Sequence, residues 1–246
     1  MSPRFHPDWI VPDWPAPGGV RAVVTTRAGG VSAGPYATLN LGSRVGDDPA
    51  CVARNRALVR ACLPSEPRWM KQVHGTRVIP AASAGEEVEA DAAVTTTLGE
   101  VCAVLVADCL PVLLCDGDAT AVAIAHAGWR GLSAGVIEAA VAAMPVPAGA
   151  LMAWLGPAIG AGAYEVGTEV RGAFLGRDPG ASTAFSPRGE GKFLADLAHL
   201  ARRRLAACGV GRVYGSGLCT ATDPRFFSFR RDRITGRMAG LIWMER

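Results

Sequence analysis

Between Ala92 and His126 the chain passes through four short apolar runs, Ala92–Thr96, Val101–Val106, Val112–Cys115 and Ala121–His126, each closed by turn-forming residues. Each is shorter than an ordinary helix and apolar at consecutive positions, the pattern of strands buried on both faces. Such strands need cover above and below, which restricts the chain to mixed α and β architectures with helices lying over sheets. Half of the 246 residues are hydrophobic, enough for a large core. Only 19% are charged, below the usual proportion of about a quarter and far from a disordered composition.

The flanking sequence supplies the cover. Residues 1–18 are Pro-rich and read as an irregular arm. Val20 to Thr26 is β-rich and runs into the turn-prone Arg27-Ala-Gly-Gly-Val-Ser. Asp47 and Asp48 before Pro49 mark a helix start, with helical spacing over Val52–Cys62. Trp69–His74 and Thr76–Ile79 read as strands around Gly75, followed by a small acidic loop over 82–90. After His126, the sequence Ala-Gly-Trp-Arg-Gly leads into a helix over Leu132–Met144, a strand–turn–helix unit. Leu151–Leu155 reads as an inner strand, and Val166–Leu175 and Lys192–Cys208 as helices. The second of these helices turns the arginines at 202–204 outward. Val213–Tyr214, Phe227–Arg230 and Met238–Met244 read as closing strands.

Several function classes are disfavoured. With 25 Lys and Arg against 22 Asp and Glu, the net charge of +3 implies neither a nucleic-acid nor a membrane partner. The N-terminus has no apolar signal-peptide region, and no run approaches the roughly 18 apolar residues of a membrane span. Seven cysteines without a CxxC pair do not form a secreted disulfide framework, so a reducing cytoplasm is expected. Cys51, Cys62, Cys102, Cys115 and Cys208 sit among apolar residues and read as packing groups. Cys219 lies in a turn setting and should be more exposed. No coiled coil or interface stripe decides the oligomeric state.

Four histidines occur. His6 falls in the arm and His199 in a helix beside a basic face, and both read as surface. His74 and His126 end strands and are followed by Gly75 and Ala127-Gly128. Cys109 stands between two buried strands in Ala-Asp-Cys-Leu-Pro. Residues at strand ends can converge on one point. Three readings stay open on spacing alone. One is a buried thiol and two histidines satisfied by backbone carbonyls. Another is Cys109 as a nucleophile with a histidine base. The last is a His-Cys-His zinc site with an open fourth position.

Longer strings narrow this. Lys71-Gln-Val-His-Gly75, Ala107-Asp-Cys-Leu-Pro-Val112 and His126-Ala-Gly-Trp-Arg-Gly131 occur in that order. Thr25–Ser32, Leu39-Asn-Leu-Gly42, Leu155–Gly160, Tyr164–Gly167, Phe226–Asp232 and Thr235–Ala239 extend the pattern over nearly the whole chain. Together they resemble the multicopper polyphenol oxidoreductase, or laccase-domain, family, a bacterial family also known as purine nucleoside phosphorylases and as a peptidoglycan editing factor. The resemblance implies one domain over 1–246 with an α+β, four-layer α/β/β/α sandwich of the kind shared with the cytotoxic necrotizing factor catalytic domain. It implies zinc on His74, Cys109 and His126, copper being the less favoured ion. It also implies phosphorolysis of adenosine, inosine and methylthioadenosine, with adenosine deamination as a second reaction. Two departures are visible, Ala161-Gly162 after Ala-Ile-Gly and Arg233 after Arg-Arg-Asp. The first puts substrate preference in question.

Phosphorolysis requires an anion site, for which Arg27, Arg130 and Arg230 are candidates, Arg130 lying at a helix start. Asn40 and Gln72 could read ribose or base, or hold turns. Asp108 could act as an acid/base or orient a ligand, but shares a site with Cys109 only if their segment is a turn. Two other activities compete: a Cys109-dependent hydrolase trimming peptidoglycan precursors, and copper-dependent phenol oxidation, which four histidines serve poorly.

Overall fold

The computed structural model describes residues 5–215 and 217–246. Its centre is β5 (Leu110–Asp116), which pairs antiparallel with β6 (Val122–Ala127) on one side and β7 (Leu151–Leu155) on the other. With β2 (Val78–Pro80), β3 (Ala92–Thr95) and β11 (Arg212–Gly215), these form a six-stranded sheet in the order β11-β7-β5-β6-β3-β2. Every residue of β5, β6 and β7 is buried. Because side chains alternate across a strand, the consecutive apolar runs feed two cores. Leu113, Cys115, Val122, Ile124 and Trp154 face one way; Val112, Leu114, Ala123, Ala125 and Ala153 face the other.

The first core is closed by a second sheet, β1 (Val20–Val24), β12 (Met238–Met244) and β4 (Cys102–Val106), in the order β1-β12-β4. The other face of the six-stranded sheet is covered by α2 (Trp129–Ala134), α3 (Val136–Ala143), α4 (Thr168–Leu175) and α5 (Leu197–Ala207), which contribute Leu132, Ile137, Phe174 and Leu200. The outer face of the smaller sheet presents Val23, Ala103, Leu241 and Trp243 to Leu39, Leu41, Trp69 and Val59, the last from α1 (Pro49–Arg60). The layers are therefore α/β/β/α. A further small sheet, β8 (Glu165–Val166), β10 (Lys192–Ala195) and β9 (Phe185–Gly189), lies in the order β8-β10-β9. No helix among the described residues is long and apolar enough to cross a membrane.

Each edge of the smaller sheet is met at one residue. Ile10, from the N-terminal arm, exchanges two backbone hydrogen bonds with Val24, at 2.9 and 2.8 Å. On β4, the Gln72 side-chain amide donates to the Leu105 carbonyl at 2.9 Å and accepts from its N–H at 2.7 Å.

Several elements differ from the expectation, each for a local reason. The helix anticipated over Leu132–Met144 begins earlier, at Trp129, and is divided at Gly135, whose φ of 111° suits glycine. The helix anticipated from Lys192 begins at Leu197, because Lys192–Ala195 pairs as a strand and the Asp196 side chain caps the helix by accepting from His199 N–H at 2.8 Å. Likewise β8 precedes α4, which starts at Thr168. Phe227–Arg230 is not a strand: Ser228 accepts from Arg231 N–H and opens the short helix α6 (Phe229–Asp232). Strand β9 was not anticipated. Arg204 is not turned out to solvent, since it pairs with Glu138 at 3.0 Å. Trp69–His74 is irregular apart from one bridge between Lys71 and Glu89. Its last backbone donors point elsewhere, and that destination builds the site.

Candidate metal centre

Asp91 immediately precedes β3 and is fully buried. Its carboxylate accepts from the N–H groups of Val73, His74 and Gly75 at 3.1, 2.9 and 2.7 Å. It also receives His126 Nδ1 at 2.8 Å. Three donors drawn to one carboxylate bend the chain into a turn, with His74 at a φ of 59°. The acceptor at Nδ1 fixes a proton there and leaves Nε2 as the nitrogen with which His126 could hold a metal. A single acidic residue thus orients one histidine through its ring and the other through its backbone.

Cys109 arrives from the opposite side. Asp108, at a φ of 84°, is in a turn. Its carboxylate accepts from the Thr220 hydroxyl and from Arg230 N–H, both at 2.6 Å. The Asp108 carboxylate is thereby tied to the C-terminal segment, while Cys109 Sγ lies 3.7 Å from His74 Nε2. The His74 and His126 rings stand edge to face, with centroids 4.7 Å apart. Ligand atoms of His74, Cys109 and His126 all lie within 4.8 Å of one another.

Two glycines of the Ala-Gly-Trp-Arg-Gly string make room for this cluster. A Cβ on Gly128 would fall 2.7 Å from His74 Cδ2 and 2.8 Å from Cys109 Sγ; one on Gly131 would fall 2.8 Å from the Gly75 carbonyl. The donor set suits a tetrahedral ion: metal–sulfur and metal–nitrogen bonds of about 2.3 and 2.0–2.1 Å place S and N about 3.5 Å apart. The electrostatics favour a thiolate beside a cationic His126, which would release its Nε2 proton on holding a metal. Burial by itself would raise the Cys109 thiol, but the neighbouring His126 and His74 outweigh it and hold the group below the usual thiol range. Burial would lower His126, but Cys109 and Asp91 hold it above the usual imidazole range. The thiolate, the form that ligates metals, is favoured.

A cleft of about 410 Å³ opens over the cluster, with Trp69, Gln72, Leu105, Phe229 and Arg237 among its walls. Phe229 is 49% exposed at α6. Gln72 lines the cleft, yet its amide is committed to β4. Asn40 is buried: its Oδ1 accepts from Gly42 and Arg237 N–H at 2.9 and 2.8 Å, and its Nδ2 donates to Gly42 and Asp47. The three arginines singled out from sequence are not among the cleft's lining residues. Arg27 donates to the Ala37 carbonyl at 2.7 Å and stacks on Phe227. Arg130, the second residue of α2, stacks on Trp129. Arg230 stacks on Tyr164 and donates to the Glu165 carbonyl. Sequence reading did not single out Asp91, Arg237 or Phe229. The only local signal for Asp91 was a lone acid at the mouth of an apolar strand; Arg237 and Phe229 lay inside the strings that carry the resemblance.

The description of multi-copper polyphenol oxidoreductase laccases matches residues 21–245. The chain belongs to that family. Among its relatives in the family, the Pseudomonas aeruginosa protein named purine nucleoside phosphorylase is 51% identical over 239 residues, spanning 96% of this chain and 98% of its own. The Escherichia coli protein named purine nucleoside phosphorylase YfiH is 52% identical over 243 residues, with the same coverage. A crystal structure of a Neisseria meningitidis protein superposes with a TM-score of 0.94 at 52% identity, covering 97% of this chain and 100% of its own. That of Geobacillus stearothermophilus YlmD gives 0.84 at 30% identity, covering 100% of this chain and 99% of its own.

Proposed function

We propose that this laccase-family member is a zinc-dependent purine nucleoside phosphorylase, acting on adenosine, inosine and S-methyl-5'-thioadenosine, with adenosine deamination as a second reaction. One observation carries the reading: three ligand atoms meet at the foot of a cleft of nucleoside size, in a chain about half identical to relatives named for that activity. His74, Cys109 and His126 would hold the ion; two nitrogens and a thiolate suit zinc. When bound, zinc supplies a Lewis acid that can acidify water.

The chain's own residues do the rest. Asp91 holds both histidines in place. Phe229, half exposed on the cleft wall, offers an aromatic face to a purine. In phosphorolysis a phosphate oxygen bonds to C1' of the ribose as the C1'–N9 bond breaks. The electron pair goes to the purine, which takes up a proton and leaves. Asp108, with both oxygens already accepting, is assigned to hold the Cys109 turn. Gln72 and Asn40 are assigned to support the walls. A multicopper oxidase needs several ion sites, whereas one cluster of this kind occurs among the described residues. All seven cysteines are free, which supports a reducing, cytoplasmic setting.

The test offers inosine with and without phosphate and measures ribose 1-phosphate. Phosphate-dependent cleavage by protein carrying about one zinc per chain is expected. No cleavage by zinc-loaded protein refutes the phosphorylase reading. Metal-free protein whose Cys109 is rapidly alkylated while it hydrolyses peptidoglycan precursors would establish the thiol enzyme instead.

A further inference from the structure

Four cationic side chains line the cleft: Arg44, Arg56, Lys71 and Arg237. Three already have carboxylates. Arg44 pairs with Glu87 at 2.6 Å, Arg56 with Glu86, and Lys71 with Glu89 at 2.8 Å. Arg237 has no acidic partner among the described residues. Its Nη1 donates to the Thr235 and Gly236 carbonyls, both at 3.0 Å, which leaves Nε and Nη2 uncommitted among the described residues.

This guanidinium is also largely withdrawn from water. Burial pushes it below the usual arginine range, offset in part by the negative charge of Cys109 and Asp108. An unpaired, desolvated cation is costly, and such a group normally has a counter-charge. The surrounding chain is nevertheless built to keep it there. Asn40 Oδ1 accepts from its backbone N–H at 2.8 Å, across 197 residues of sequence. Gly42 lies so close that a Cβ would fall 2.8 Å from Arg237 Cγ. A planar fork with two free donor positions, on the wall of the cleft that holds Cys109 and both histidines, matches a tetrahedral oxyanion.

We propose that Arg237 is the anion-holding residue of this cleft, taking inorganic phosphate through Nε and Nη2. Only the identity of the anion as phosphate rests on the phosphorylase reading. Arg27 and Arg230, whose side chains donate elsewhere, and Arg130, which stacks on Trp129 and does not line the cleft, are not needed for it.

Equilibrium binding of inorganic phosphate to metal-loaded protein, by titration calorimetry without nucleoside, tests the assignment apart from turnover. Arg237→Met should weaken phosphate binding on the order of 10- to 100-fold, the worth of charge-assisted hydrogen bonds, with metal content unchanged. Arg237→Lys, which keeps the charge and loses the fork, should fall between. If Arg237→Met does not fold, Gly42→Ala keeps the charge but displaces the stem, and should also weaken phosphate. Unchanged phosphate affinity in the variant that folds overturns the proposal, as does a parent protein that binds no phosphate. If phosphate binds through Arg237 but no nucleoside is cleaved, the phosphorylase reading falls and the anion site stands.

Discussion

Asp91→Asn replaces one oxygen of a buried carboxylate that serves four donors. Asparagine has one acceptor oxygen and turns an NH2 group toward groups that are themselves donors. Two of the four donors are then orphaned in the interior, at about 1–3 kcal/mol each. A total near 3 kcal/mol lowers Tm by roughly 6–12 °C for a chain of this size, at about 2–4 °C per kcal/mol. The second consequence is local. If the new amide faces His126, the acceptor that fixes the Nδ1 tautomer is gone, and losing such an outer partner costs about 10–100-fold in metal affinity. Thermal unfolding followed by circular dichroism on metal-free protein isolates the first effect from mass-action stabilisation by the metal. Competition with a chromogenic zinc chelator measures the second. A variant whose zinc affinity stays well inside a factor of about 10, and whose metal-free Tm matches the parent, would refute the claim that Asp91 organises the centre.

Two further outcomes are expected. Gly128→Ala places a methyl group against Cys109 Sγ and His74 Cδ2; metal analysis should show about one zinc lost per chain with the circular dichroism spectrum retained, and full zinc content would contradict the cradle. Asp116 ties the β5–β6 turn by accepting from Asp118, Thr120 and Ala121. Burial would raise its carboxyl, but these bonds outweigh it and hold the group below the usual range. Its folded pKa is the lower one, so its contribution is present in full above the unfolded value of about 3.9 and is lost as pH falls through the folded value. The Tm gap between parent and Asp116→Asn should therefore be constant near neutral pH and close in acid; a gap independent of pH would refute this.

The layered core could be read from the chain because it rests on local pattern. Consecutive apolar residues in β5 and β6 demanded cover on two faces, and Asp48 before Pro49 does cap α1, accepting from Ala50 N–H. Lys192–Ala195 was misread because a short apolar stretch beside a helix has no period of its own; pairing with β8 and β9 decides it. The ligand cluster was approachable because histidines are few and the strings around them distinctive. What holds the cluster was not. Asp91 meets His126 across 35 residues, and Asn40 meets Arg237 across 197. No local spacing encodes either meeting. Asn40 and Gln72 could read a ligand or hold a turn on sequence alone; in the structure their amides bond backbone groups and, for Asn40, also the Asp47 carboxylate.

The plugs on the smaller sheet bear on how this chain behaves in a crowded solution. An unpaired strand edge is a template on which another chain can add, the first step toward aggregation. At Val24 the template is answered by Ile10 and at Leu105 by the side chain of Gln72. Gln72 does so as a peptide mimic, satisfying both groups of one residue without offering a further edge. Since Gln72 lies two positions before His74, the cover of this edge at Leu105 and the placement of a candidate metal ligand are written into the same short stretch of chain.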